Sequence, residues 1–556
     1  MRRVINHLKE KKIVYGLLIV MILFGIYLRS YHINYPTIGY HNMKEDEFLS
    51  FALNMHDSGD YIKTRWFDCS VSTNDYFGDP YQKCNFNEGE TPLSIWLLLI
   101  FFAIFGWKLW VARMVIVLFT ILTVLVIYLI VHRLTKSEYL ALLSAFIFNV
   151  LPLSIFFGRN IQMDSPALFL TGLSLYFFII WNENKLLKDF ILGCVFFIMT
   201  AWFKITSLFV LFALLFILEY KEYIQFKKYW KEYLIFALTI ILSVVWILYL
   251  APALMPNTNV SSISAGNFLG ANNWVDTSFS IFSAGYWTNY KSIIFSYIDD
   301  NYSWIGFWLI IIGFALFFIK YKSKISKFMF GYGIGVILYI ILFAYKWNAH
   351  NYYQFPFLIF AATCIANLFY QAGMLLKSLF SNQIVKKIVQ YLPLLALLLL
   401  IVPFKASTFR QFDTQFFGQD IAGTYINTHT APGEIFLLER GIQNQVSWTA
   451  RRFYYSVPDD VELLKRIEQE KNLTYIVLTN YGVQTVQQKT KTWQYITENY
   501  GIAQAGFIQT QQGSQIYHLI LKRGGTFNLS SLNTRPAVLA ETYDTSYGKI
   551  QYYTIG

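Results

Sequence analysis

The chain has 556 residues, 55% of them hydrophobic and 19% aromatic, with only 14% charged. A soluble domain carries about a quarter charged residues, so an ordinary aqueous globule is excluded. The net charge of +12 does not read as a nucleic-acid surface, because Lys and Arg fall in short clusters between apolar stretches, the topology signal of a multi-spanning protein.

In chain order, "MRRVINHLKEKKIVYGLLIVMILFGIYL" begins like a signal peptide. Its apolar run is too long and no small-residue cleavage site follows, so it reads as an uncleaved first span. Windows of roughly 17–25 apolar residues then recur, each able to cross ~30 Å of hydrocarbon. One set of basic clusters comprises Arg2, Arg3, Lys9, Lys11 and Lys12, then 132–136, Lys185 and Lys188. It continues through 221–231 and 320–327 to Lys377, Lys386 and Lys387. Placing all of these in the cytoplasm predicts about eleven spans. They lie near 13–30, 111–131, 139–157, 165–181, 189–203 and 205–219, then 233–251, 303–319, 328–345, 354–372 and 388–404. The N-terminus is then cytoplasmic, in the plasma (inner) membrane. Segment 91–106 does not cross, but lies in the outer interface or dips in and returns.

Three pieces face outward in this scheme: 31–110, 252–302 and everything after the membrane domain 1–404. In 405–556 the composition shifts to Gln, Thr and Asn. "EIFLL", "RRFYYSV", "TYIVLT" and "QIYHLILKR" read there as strands, with helices at 459–471 and 484–499. A small extracytoplasmic α/β domain fits, with no nucleotide-binding glycine fingerprint. The last thirty residues are polar and read as loosely ordered. Cys194 and Cys364 sit in apolar spans as small hydrophobes. Cys69 and Cys84 share a polar loop, where an oxidising location permits a disulfide that sequence alone leaves open.

Five groups of polar residues fall on the outward side. Glu45–Asp46–Glu47 follows the first span; as a bland alternative, these acids simply meet a helix dipole. Neighbours on a helix diverge by about 100°, so the three acids do not serve one site. Arg159 and Asp164 end the third span and open the fourth; the alternative there is a helix cap with an interfacial Arg. Lys204 lies between two short spans, where snorkelling is the ordinary explanation. "YKWNAHNYYQFPF" holds Lys346, His350, Tyr352 and Tyr353, and "NEGETPLSIW" holds Glu88 and Glu90. Acids and cations over an apolar slot suit a lipid-linked sugar phosphate. Cations grip its phosphate, and a carboxylate accepts a proton from an acceptor hydroxyl.

The pattern resembles the GT-C superfamily of membrane glycosyltransferases, in the bacterial branch related to protein O-mannosyltransferases and lipid A aminoarabinose transferase. The likeness rests on Asp46–Glu47 with "FALNMHDSGDY", on Thr91, Pro92, Leu93, Trp96, Gly106 and Arg113, and on Arg159 with Asp164. Lys204, and His350, Tyr353 and Pro356, extend it over roughly the first 370 residues. The chain departs from the family at Glu90–Thr91–Pro92, where relatives carry two prolines after Lys, His or Glu.

The resemblance implies a mostly α, GT-C-type fold with interfacial helices in the first outer loop. It implies transfer of a monosaccharide from a polyisoprenyl-phosphate donor to a lipid, protein or surface polymer. Asp46 would be the general base, oriented by Glu47. Lys204, Arg159, His350 and Tyr353 would hold the donor phosphate, with Asp164 and Glu90 in support. A divalent metal on Glu90 and His350 is the one cofactor it suggests. The rival readings are a transporter or flippase, which favours ionisable residues at mid-membrane and internal repeats, and an anchored binding protein. Neither matches polar groups concentrated at one face.

Overall fold

The structure is a computed structural model that describes residues 2–71, 75–84, 92–245, 250, 275–439, 445–511 and 513–556. Among these, eight helical stretches are long and apolar enough to cross a membrane. They are Lys12–Arg29 (within helix α1, Arg2–Arg29), Leu109–Thr135, Asp164–Asn184, Leu187–Leu214, Ala284–Lys320, Lys324–Leu342, Asn351–Ser378 and Gln383–Asp413.

The eleven expected spans map onto these eight stretches except in three places, each with a local cause. The 139–157 segment is a helix Glu138–Val150 that ends at extended Leu151, with Pro152 opening a separate short helix; proline lacks the amide that would continue the ladder. The 233–251 segment belongs to Phe226–Val245, whose first turns are basic and polar, and its last residues lie outside the described ones. Segments 189–203 and 205–219 form one apolar stretch broken at Lys204, whose backbone is extended (φ −162°, ψ 99°) between an α-helix and a 3-10 helix. The halves nevertheless run antiparallel. Lys204 meets Asp164 at the start of the Asp164–Asn184 helix, while Ile217 O accepts a bond from Asn182 near its end.

Leu93–Phe105 is a 13-residue apolar helix, about 20 Å long and so too short to cross. Helix Ala284–Ala315 begins well before 303 and kinks at Ser303 (φ 56°); residues 251–274 of the expected outer loop lie outside the described ones. A Cβ at Gly313 of this helix would stand 1.9 Å from the Cys364 carbonyl oxygen. Only glycine permits that close approach to helix Leu358–Ser378.

The C-terminal part is a seven-stranded mixed sheet in the order β2-β1-β3-β5-β4-β7-β6. The strands are β1 Phe436–Glu439, β2 Tyr454–Tyr455, β3 Tyr475–Thr479, β4 Tyr500–Thr510, β5 Gly513–Arg523, β6 Val538–Thr545 and β7 Gly548–Ile555. β1 runs parallel to β2 and β3, and the remaining pairs are antiparallel. β1 and β3 are buried along their whole length, as for strands covered on both faces. The last thirty residues, expected to be loose, instead contain the β6–β7 hairpin. Their polar look hid an alternation that buries Tyr543 and Tyr552 while β7 pairs with β4. The Cys69–Cys84 disulfide is present.

The sheet is tied to the chain between α1 and helix α2 (Met43–Ser58). Phe416 N donates to Ile38 O at 2.7 Å, Gln445 Nε2 to Gly39 O at 2.6 Å, and Gly39 bridges Gln415. Leu53 of α2 packs into the sheet's core with Leu437 and Ile476. The opposite side of α2 packs against the Leu93–Phe105 and Leu109–Thr135 helices through Phe48, Ile95 and Val111.

Candidate active site

Glu45 and Asp46 lie in the first turn of α2, where their charges meet the positive end of the helix dipole. At 3.6 residues per turn the acids diverge, and each finds a different partner. Glu45 turns to Arg113: Nη2 and Nε donate to its oxygens at 2.6 and 3.0 Å, and Ile161 N donates at 3.1 Å. Arg113 also donates to the carbonyls of His32, Ile33 and Tyr35. Both side chains are fully buried, so one ion pair joins α2, the Leu109–Thr135 helix and the segment between Arg159 and Asp164.

Asp46 takes a hydrogen bond from Thr37 Oγ1 at 2.6 Å, and its second oxygen is buried with no hydrogen bond. Burial raises its carboxyl well above the usual range; the Thr37 bond opposes this and the Glu45 charge adds to it. Glu47 accepts from Lys44 Nζ at 3.1 and 3.2 Å and is almost wholly buried.

A cavity of about 150 Å³ opens beside α2, lined by Lys44, Phe48, Gln162, Met163, Asp164, Lys204, Lys346, Ala349, His350, Tyr352 and Tyr353. Lys44 and Phe48 sit four apart on α2, on one face. Asp46, midway between them in sequence, points about 180° away. Lys204 grips Asp164 at 2.8 and 2.9 Å, and its ammonium lies 4.8 and 5.1 Å from the Tyr353 and Tyr352 ring centres. Aromatic faces attract a cation most strongly where water is excluded. His350 stacks on Tyr352 and meets the edge of the His41 ring at 4.8 Å. Burial holds His41 well below the usual imidazole range, and the nearby His350 adds to this.

The structure thus brings together Asp164, Lys204, His350 and Tyr353, and Glu47 bonds the cavity-lining Lys44. Asp46 lies on the other flank of α2. Arg159 does not line the cavity; it donates to the Tyr31 carbonyl and sits 4.8 Å over the Phe412 ring. Burial lowers its guanidinium to about 9. Glu90 lies outside the described residues. Among the described residues no group of three or more His, Cys, Asp or Glu side chains could hold a metal ion. Sequence reasoning left Lys44, Gln162, Lys346 and His41 without a role. The i,i+4 spacing of Lys44 and Phe48 was the signal available for the first.

Fold and cavity define a multi-pass membrane protein whose charged site lies between α2 and the ends of the apolar helices that carry Asp164, Lys204 and Tyr353. A family model described as dolichyl-phosphate-mannose-protein mannosyltransferase matches residues 89–249. The crystal structure of ArnT from Cupriavidus metallidurans in the apo state superposes with a TM-score of 0.55 at 11% identity, over 91% of this chain and 98% of that one. The same protein bound to undecaprenyl phosphate gives 0.54 over the same shares at 11% identity. No curated protein sequence matches. The fold is the ArnT-like, GT-C-type fold, and the resemblance drawn from the motifs holds at that level.

Proposed function

We propose that this chain is a membrane glycosyltransferase that moves a monosaccharide from a polyisoprenyl-phosphate donor to an extracytoplasmic acceptor by a single inverting displacement. The observation that carries this reading is the cavity, where Lys44, Lys204 and Lys346 gather with His350, Tyr353 and Asp164, and where Lys44 bonds Glu47. Three ammonium groups beside aromatic walls suit a phosphate anion, and ArnT, of similar fold, has been solved with undecaprenyl phosphate. The N-terminus then faces the cytoplasm of a plasma (inner) membrane, and the cavity and the 405–556 domain face outward.

Lys204, held by Asp164, stabilises the charge that builds on the departing phosphate, and His350 and Tyr353 complete its surroundings. An alcohol attacks well only when its proton is accepted as the bond forms. Contact with cavity-lining Lys44 supports giving that base role to Glu47, in place of Asp46. Arg159 keeps the chain around Tyr31 in place.

The test uses the full chain in proteoliposomes with a panel of radiolabelled polyprenyl-phosphate sugars, following loss of sugar from the lipid. Glu47→Gln should lower transfer by about 10²–10⁴, while Asp46→Asn should stay within about tenfold, since its neighbour Thr37 can still be bonded. Near-normal turnover in Glu47→Gln would remove that residue from the role. No sugar release by the parent chain from any donor would remove the function.

A further inference from the structure

Residues 160–163 are buried throughout and lie between two ion pairs. On one side Ile161 N donates to Glu45 at 3.1 Å, and Glu45 is itself held by Arg113. On the other, Asp164 takes two bonds from Lys204 at 2.8 and 2.9 Å. The backbone is thus pinned on both flanks of Gln162. Among the described residues that line the cavity, Gln162 alone carries an amide side chain. It is 4% exposed, and its Nε2 is buried with no hydrogen bond. A buried, unpaired N–H destabilises a fold, and native chains pair nearly all such groups. One left unpaired at a pinned position beside a cavity is a group whose partner arrives with the ligand.

Resting on the function proposed above, we infer that Gln162 determines which sugar the site accepts: its amide donates to one hydroxyl oxygen of the donor's monosaccharide ring. Holding the phosphate and reading the sugar call for different chemistry. A lysine ammonium is a point charge with rotatable donors, so it grips a phosphate without registering the ring attached to it. An amide is neutral and planar, with its donor and acceptor in fixed places, and it distinguishes a hydroxyl at one ring carbon from a hydrogen there. Gln162 lies two residues before Asp164, which holds Lys204, so the ring it meets is the one joined to the phosphate on Lys204. The substrate class is a sugar that is uncharged and hydroxyl-bearing at the carbon Gln162 reads. Such a site rejects an analogue lacking that hydroxyl, because the amide N–H is then enclosed unpaired.

The test uses the full-length chain in proteoliposomes, with undecaprenyl phosphate carrying the parent's best sugar and the set of its mono-deoxy analogues. The parent should lose kcat/KM roughly ten- to hundredfold on one analogue. Gln162→Leu should lose that factor on the full sugar and no longer distinguish it from that analogue, with preferences at the other ring carbons unchanged. Undecaprenyl phosphate without a sugar should bind parent and variant within about twofold. Because the substitution removes an unpaired buried polar group, Gln162→Leu should unfold at or above the parental temperature. Should Gln162→Leu not fold, Gln162→Met, which also lacks the donor, is read the same way. Loss of stability in both variants marks a structural residue and overturns the sugar-reading role. So does an unchanged preference at every ring carbon, or much weaker binding of the sugarless lipid, and each of these leaves the glycosyltransferase reading intact. Failure of the parent to release sugar from any donor overturns both.

Discussion

Lys204 and Asp164 form a two-pronged ion pair, 2.8 and 2.9 Å across, between the last residue of one helix and the first of its neighbour. The chain reverses direction at Lys204, so this pair is both the hinge pin of a helical hairpin and one wall of the cavity. Its charges are nearly dry, at 9% and 1% side-chain exposure. Breaking such a pair by removing one partner costs about 3–5 kcal/mol. Lys204→Met should therefore lower the unfolding temperature in detergent and abolish transfer together. A variant with parental stability and activity would show that the pair carries neither load.

The Glu45–Arg113 pair should behave differently. It does not line the cavity, yet it binds α2 to Ile161 and, through Arg113, to the carbonyls of His32, Ile33 and Tyr35. Glu45→Gln leaves a fully buried guanidinium without its counter-charge, again a loss of about 3–5 kcal/mol. We expect poor yield and early proteolysis near residues 31–45, with affinity for undecaprenyl phosphate largely kept in the fraction that folds. Loss of binding at parental stability would instead make Glu45 a ligand residue.

In the sheet domain, Asp420 lies buried with Tyr543 donating to it at 2.6 Å, and burial raises its carboxyl to about 6. A carboxyl raised on folding favours the native state while protonated. That contribution is complete below the unfolded value near 4 and is lost as pH rises through about 6. At pH 7 the charged form opposes folding by about 3 kcal/mol. Asp420→Asn should thus be more stable than the parent at pH 7 and equal to it near pH 4, measured by thermal unfolding. His518, lowered to about 3 by burial, titrates identically in both proteins and cancels in the comparison. A stability difference that does not change with pH would contradict the assignment.

Much of the fold was legible because membrane crossing is a one-dimensional constraint. The run of apolar residues and the basic clusters between them predict helices such as Leu109–Thr135 and Asp164–Asn184 almost to their ends. The strands β1 and β3 were legible for the same reason, as continuous apolar runs. The β6–β7 hairpin was not, since its buried residues are tyrosines spaced among polar ones and its partner β4 is distant in sequence, with Ile508 opposite Tyr552 and Ala505 opposite Ile555.

The sequence by itself determined that this is a multi-pass protein with acids, lysines and aromatics gathered at one face, because hydropathy and charge act residue by residue. It left open which cation Asp164 holds, Arg159 or Lys204, and the structure gives Lys204. Only the tertiary structure decided which of three adjacent acids pairs with a cavity-lining lysine. That choice depends on where Thr37, Arg113 and Lys44 come to rest around a single helix, and a rotation of about 100° per residue separates a ligand from a strut.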